Sequence, residues 1–265
     1  MSSRRDGPET IEHREKREMS LFLRNGPFQP VLDEDEVHAW LAPLEQPQVH
    51  IELFRRTLSE DERARAERFA FEDLQERYIV GRGILRDILA RYCGTAAAAL
   101  RFAYAPHGKP FLTCTHEAEG LQFNVSHSGA FFMCAIARGI RLGIDIEKIE
   151  FREDYLRLAE RFFAPSEVAE LRALPLEQQL DAFHACWTRK EAYVKAKGSG
   201  LATPLDKFEV SLKPGIPPAL LRSQVEPEDT AHWALCDVTP CSGYAAALAV
   251  ENPAAKIACW RWSPS

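Results

Sequence analysis

The order of apolar spacings along the chain limits the fold more than any other feature. Between 60 and 93 the residues Tyr78, Leu85 and Tyr92, with Ile84 and Ile88, recur at helical spacing until Gly94. Ser59 followed by Glu62 is a capping-box signature that opens this stretch. Short apolar segments parted by turn residues come next: Leu100 to Tyr104, Phe111 to Thr113, Gln122 to Val125, Phe131 to Ala137 and Leu142 to Ile146. Such spacing reads as sheet, and Val37 to Leu44 and Val49 to Phe54 read as strands ahead of the helices. The second half repeats the order, with a charged helix from about Ser166, a longer one from Gln178 to Lys197, and strands near Phe208, Trp233 and Ala245. Pro214, Pro217 and Pro218 mark a surface loop. Helix then sheet, twice, predicts an α+β fold of two similar lobes. The expected division is a mobile tail over 1–18, an N-terminal lobe over 19–139 and a C-terminal lobe over 140–265.

With 265 residues, 46% of them hydrophobic and 27% charged, the chain has the composition of a globular protein and can bury a sizeable core. Its 33 basic and 39 acidic residues leave a net charge of −6, which excludes a global positive field for holding nucleic acid. No apolar stretch approaches the roughly 18 residues that span a bilayer, the longest tidy one being Tyr244 to Val250, so no membrane partner is expected. Residues 1–18 carry ten charged side chains, five of them acidic, which fits neither a secretory signal nor a mitochondrial transit peptide. Seven cysteines without a CxxC pair point to reduced thiols in a cytoplasm.

Three clusters could carry chemistry. In Gly143-Ile144-Asp145-Ile146-Glu147 a strand's alternation sends Ile144 and Ile146 to the core and puts both carboxylates on the opposite face. That face is either a solvated one or a site for a cation, and magnesium suits oxygen ligands of this kind. In Trp187 to Gly198, Phe183, Trp187 and Val194 form one helical stripe, Lys190 falls near its centre and Glu191 flanks it. Glu191 there needs a cation, from Lys195 four residues on or from a metal, and Lys190 either snorkels or sits in a fixed ion pair. In Asn124-Val125-Ser126-His127-Ser128-Gly129 a strand runs into a polar turn. Neighbouring strand residues face opposite ways, so Ser126 and His127 read as a phosphate-binding turn and not as a nucleophile with its base. The turn His107-Gly108-Lys109-Pro110 would aim Lys109 outward, while Arg65, Arg77 and Arg82 read equally as helix-surface charges.

Taken together, Asn124 to Gly129, Gly143 to Glu147 (GIDIE) and Trp187 to Leu201 (WTRKEAYVKAKGSGL), with Gly108-Lys109-Pro110 upstream, resemble the Sfp-type 4′-phosphopantetheinyl transferases over about Leu58 to Phe208. The resemblance implies a pseudo-two-fold α+β fold whose lobes meet over a coenzyme A site, in a single chain that works as a monomer. It makes Asp145, Glu147 and Glu191 the magnesium-binding carboxylates and Lys195 a catalytic-site lysine. Ser126 and His127 would touch the 3′-phosphorylated ADP end of coenzyme A, Lys109 its phosphates, and Arg65 and Arg77 would help hold the nucleotide. Glu62 stands where relatives often carry a lysine, and Tyr78 where a small hydroxyl residue is common.

The implied reaction moves 4′-phosphopantetheine from coenzyme A to a carrier-protein serine and releases adenosine 3′,5′-bisphosphate, with Glu191 as base and Lys195 serving the leaving phosphate. Carriers of this kind serve polyketide or nonribosomal peptide assembly, among other systems. An acyl or peptidyl carrier protein would dock along Ile149 to Pro175, where Arg152, Arg157 and Arg161 surround Phe162 and Phe163, unless those two rings belong to the core. The rival readings are another magnesium-dependent phosphoryl-transfer enzyme and a noncatalytic module that binds coenzyme A or a carrier.

Overall fold

The computed structural model describes residues 21–105, 108–113, 119–151, 154–198 and 203–264. The expected tail at 1–18, His107, Cys114, Arg152 and the segment 199–202 lie outside them.

The chain runs twice through one sequence of elements. The first pass is β1 (Glu36–Pro43), α1 (Gln48–Thr57), α2 (Glu60–Ala66), α3 (Glu72–Cys93), the hairpin β2 (Phe102–Tyr104) and β3 (Pro110–Leu112), then β4 (Leu121–Ser128) and β5 (Phe131–Arg138). The second is β6 (Leu142–Lys148), α4 (Tyr155–Phe162), α5 (Pro165–Ala173), α6 (Leu176–Lys197), the hairpin β7 (Phe208–Val210) and β8 (Leu220–Ser223), the one-turn α7 (Asp229–His232), then β9 (Ala234–Asp237) and β10 (Tyr244–Val250). Each pass builds an antiparallel sheet of the same order, β1-β5-β4 and β6-β10-β9. The α+β fold of two similar lobes expected from the spacing is therefore present element by element.

Strand alternation sorts the side chains into three cores. Val37, Ala39, Leu41, Met133, Ala135 and Ala137 of the first sheet meet Leu142, Ile144, Ile146, Ala246, Leu248 and Val250 of the second. The other faces carry the helices: Trp40, Phe132, Cys134 and Ile136 pack against α1 to α3, and Ala247 and Ala249 against α4 to α6.

A buried ion pair recurs in both lobes. Arg86 and Lys190 occupy the same position in their 22-residue helices, counted from Glu72 and Leu176, and neither is exposed. Each meets the glutamate that caps the preceding short helix. Glu62 accepts the Ser59 N–H at 2.9 Å and Arg86 Nε at 2.7 Å, and also pairs with Arg82. Glu167 accepts the N–H groups of Ala164 and Val210, both at 2.7 Å, and pairs with Lys190 at 2.8 Å. Lys190 thus takes the fixed ion pair and does not snorkel; it also donates to the carbonyls of Leu205 and Phe208.

Three expectations change. Val49 to Phe54 lies in helix α1, because Ile51 and Phe54 at helical spacing are the buried pair while Val49 and Leu53 face solvent, and Phe54 packs where Gly83 of α3 leaves no side chain. Helix α4 and strands β8 and β11 (Lys256–Arg261) were not foreseen. Strand β11 pairs in parallel with β1, and Trp262 donates its backbone N–H to Leu41 O and its Nε1–H to Asp87, so the end of the expected C-terminal lobe 140–265 completes the first lobe instead.

Burial raises the Glu62 carboxyl, yet the Arg86 and Arg82 guanidinium groups outweigh it and hold the pKa below the ordinary range, whereas Glu167, with a single ammonium partner, is pushed up by burial. A depressed carboxylate pKa stabilises the folded state above the unfolded value and loses that contribution as pH falls through the folded one. Glu62→Gln is therefore expected to lower the unfolding free energy by about 3–5 kcal/mol at pH 7. The gap to wild type should shrink below about pH 4.5, as read from urea denaturation across pH.

Candidate active site

Edge strand β4 of the first sheet lies beside edge strand β6 of the second, and side chains, not a backbone ladder, join them. Asn124, Ser126 and Ser128 alternate along β4 toward β6. Asn124 Oδ1 accepts the Ile144 N–H at 2.9 Å, Ser126 Oγ donates to Asp145 Oδ1 at 2.8 Å, and Ser128 Oγ donates to Glu147 Oε2 at 2.8 Å. Ser126 and His127 belong to the strand itself, which runs through Ser128 before turning at Gly129, so the expected phosphate-binding turn is a strand.

Asp145 and Glu147 project from the face of β6 that meets helix α6. The approach is close because of Gly143: a Cβ there would stand 2.2 Å from Ala192 O and 2.4 Å from Ala196 N. Helix α6 can then carry Glu191 and Lys195 directly over the carboxylates. Lys195 Nζ donates to Asp145 Oδ1 at 2.5 Å, to Ser126 Oγ at 3.1 Å and to Ile144 O at 3.3 Å. Asp145 is only 3% exposed, and its Oδ2 is buried with no hydrogen-bond partner among the described residues. Burial pushes the Asp145 pKa up against the pull of Lys195. Burial also raises Glu191, helped by the negative charges of Asp145 and Glu147 and opposed by Lys195.

These groups line one cleft of about 470 Å³ formed by Val125, Ser126, His127, Asp145, Glu147, Trp187, Glu191 and Lys195. A second pocket of about 420 Å³ adjoins it through Val125 and His127 and holds Arg65, Arg77, Tyr78, Arg82 and Tyr104. Partial desolvation, together with Arg77 and Lys195, keeps His127 below the ordinary histidine pKa. Among the described residues, no three His, Cys, Asp or Glu side chains draw close enough to form a metal-binding group.

Six of the expected site residues thus share the cleft, and Arg65 and Arg77 stand in the pocket beside it. Lys109 differs: instead of pointing outward it turns to the lobe junction, where Nζ donates to the carbonyls of Leu142 and Lys195 at 3.2 Å. Burial, with Arg141 nearby, lowers its pKa. Of the docking residues, Arg157 and Arg161 are exposed on α4, while Phe163 is core, stacked on Phe183, and Phe162 is half-buried edge-on to Trp187. Sequence reasoning passed over Ser128 and Asn124 as partners of β6; the two-residue period of Asn124, Ser126 and Ser128 was the available signal.

A two-lobed α+β protein with acids, a lysine and flanking arginines gathered where its lobes meet belongs to the class suited to anionic, phosphate-bearing substrates. Residues 141–249 match the family model of the 4′-phosphopantetheinyl transferase superfamily, and residues 44–138 match that of the 4′-phosphopantetheinyl transferase N-terminal region. The 4′-phosphopantetheinyl transferase HetI of Nostoc sp. is 42% identical over 82% of this chain and 89% of its own length. Sfp of Bacillus subtilis, another 4′-phosphopantetheinyl transferase, is 34% identical over 61% of this chain and 69% of its own. The holo-[acyl-carrier-protein] synthase of Helicobacter pylori, solved in complex with coenzyme A, matches 41% of this chain and 96% of its own at TM-score 0.32 and 21% identity. The chain belongs to the 4′-phosphopantetheinyl transferases. It is an enzyme that transfers 4′-phosphopantetheine from coenzyme A to a carrier protein.

Gly143→Ala tests the geometry. The added methyl forces α6 off β6, and overpacking of this kind costs about 1–3 kcal/mol. Turnover is expected to fall on the order of 100-fold in a variant that still folds, because small displacements of catalytic groups are expensive. Activity and thermal unfolding measured together check both parts.

Proposed function

We propose that the transfer is magnesium-dependent and takes place in the cleft between β4, β6 and α6. Asp145, Glu147 and Glu191, which line one cleft but do not stand as a formed three-ligand group among the described residues, would hold the ion. The observation that carries this reading is Asp145 Oδ2, a carboxylate oxygen buried without a hydrogen-bond partner among the described residues, in a cleft where Asp145 and Glu147 raise the proton affinity of Glu191. An all-carboxylate donor set suits magnesium, whose chemistry when bound is to neutralise diphosphate oxygens during in-line displacement.

The chain's own groups do the rest. Arg65, Arg77 and His127 line the pocket proposed for the nucleotide end of coenzyme A, with Ser126 in the adjoining cleft and Lys109 bound to the Lys195 carbonyl at the lobe junction. Glu191, made more basic by burial and by its acidic neighbours, takes the proton of the carrier serine. The serine oxygen forms its bond to the β-phosphorus while the bond to the leaving adenosine 3′,5′-bisphosphate breaks. Lys195, already seated on Asp145 and Ser126, gives the leaving phosphate a proton or a compensating charge. Both lobes of a single chain complete the cleft, which supports a monomer. A reducing cytoplasm agrees with the cysteine pattern, and the carriers are proposed to serve polyketide or nonribosomal peptide assembly.

Incubation with coenzyme A, magnesium and an apo carrier, read by intact mass, is expected to show addition of phosphopantetheine. Glu191→Gln should lower kcat by about 100-fold or more at saturating magnesium. Near-normal turnover of that variant would remove Glu191 as base, and full activity in the presence of a chelator would remove the metal.

A further inference from the structure

The β4–β5 hairpin ends in a corner held from both lobes. Arg77 Nη2 of α3 donates to Gly129 O at 2.6 Å, and the Ala130 N–H donates to the Tyr244 hydroxyl of β10 at 2.9 Å. Gly129 sits at φ +51°, and a Cβ there would stand 2.4 Å from that hydroxyl and 2.8 Å from Lys148 Cδ. Ser128 is the residue just before this corner. Its Oγ accepts the Lys148 N–H at 3.0 Å, so the single hydroxyl hydrogen is left to donate, and it goes to Glu147 Oε2 at 2.8 Å. One serine hydroxyl is thereby fixed by a backbone N–H of β6 and in turn fixes a carboxylate of the same strand.

We propose that Ser128 is a positioning residue that sets the orientation of the Glu147 carboxylate for the divalent cation, a role that rests on the magnesium reading above. Ser126 does the same for Asp145 but also takes a hydrogen bond from Lys195, whereas the hydroxyl of Ser128 is engaged by Glu147 and the Lys148 N–H. Removing the Ser128 hydroxyl takes away the donor to the carboxylate and the acceptor for the Lys148 N–H together. Outer partners of metal ligands govern affinity through ligand orientation, so the effect belongs to cation binding and not to the nucleotide pocket.

Manganese binding followed by electron paramagnetic resonance, on the full chain with coenzyme A present, tests this directly. Ser128→Ala is expected to weaken manganese binding by about 10- to 100-fold. Ser128→Thr, which keeps the hydroxyl, should retain most of the affinity, and binding of coenzyme A measured without metal should be unchanged in both. Equal manganese affinity in wild type and Ser128→Ala overturns the role of Ser128 and leaves the magnesium reading intact. Absence of manganese binding by the wild type overturns the magnesium reading and this proposal with it. If Ser128→Ala does not fold, Ser128→Cys, a weaker donor, takes its place with the same expected direction.

Discussion

The contact of α6 with β6 at Gly143 is the constraint on which the site depends. A side chain at that position would run into the backbone at Ala192 and Ala196. With only a hydrogen there, the helix lies directly on the strand, and the alternation of β6 then places Asp145 and Glu147 beneath Glu191 and Lys195. Packing between a buried strand and a buried helix thus brings together charges that are far apart in sequence. Among the acids charge opposes this arrangement, because Asp145 and Glu147 both disfavour ionisation of Glu191, and among the described residues only Lys195 counters it.

The two passes of the chain share this frame and use it differently. Counted back from Pro43 and Lys148, which pair with the first residues of β5 and β10, Asp145 corresponds to Trp40 and Glu147 to Ala42. Counted from the helix starts, Glu191 corresponds to Asp87 and Lys195 to Arg91. In the first lobe that acid and base hold the end of the chain: Asp87 accepts from Trp262 Nε1 at 2.7 Å, and Arg91 donates to Asp87 and to Ser263 O. Strand β11 covers the edge of β1 that matches the edge of β6 facing β4. One copy of the frame is open as a cleft and its twin is closed by the C-terminal strand. The structural ion pairs Glu62–Arg86 and Glu167–Lys190 are kept in both.

Local patterns in the sequence were enough for the long helices, the alternation of GIDIE and the repeated order of elements, since each depends on residues near one another. The helix at 48–57 was misread because Val49, Ile51 and Leu53 alternate as a strand would, and only the fit of Phe54 against Gly83 favours the helical face. Strand β11 carries the short apolar run Ile257 to Trp260, but its pairing with β1 has no local mark, because β1 lies at the other end of the chain. In the site, the family resemblance pointed to the acids and Lys195, but the inward turn of Lys109 and the bonds from Ser126 and Ser128 to β6 depend on how the lobes meet. The departure at Glu62 likewise acquires its meaning from Arg82 and Arg86, which surround it in the fold.

Crystals grown with coenzyme A and manganese, measured at the manganese absorption edge, address the convergence of the three acids most directly. One anomalous peak is expected within coordinating distance of Asp145, Glu147 and Glu191. A peak bound elsewhere, or one that Glu191 does not reach while coenzyme A fills the cleft, would contradict it.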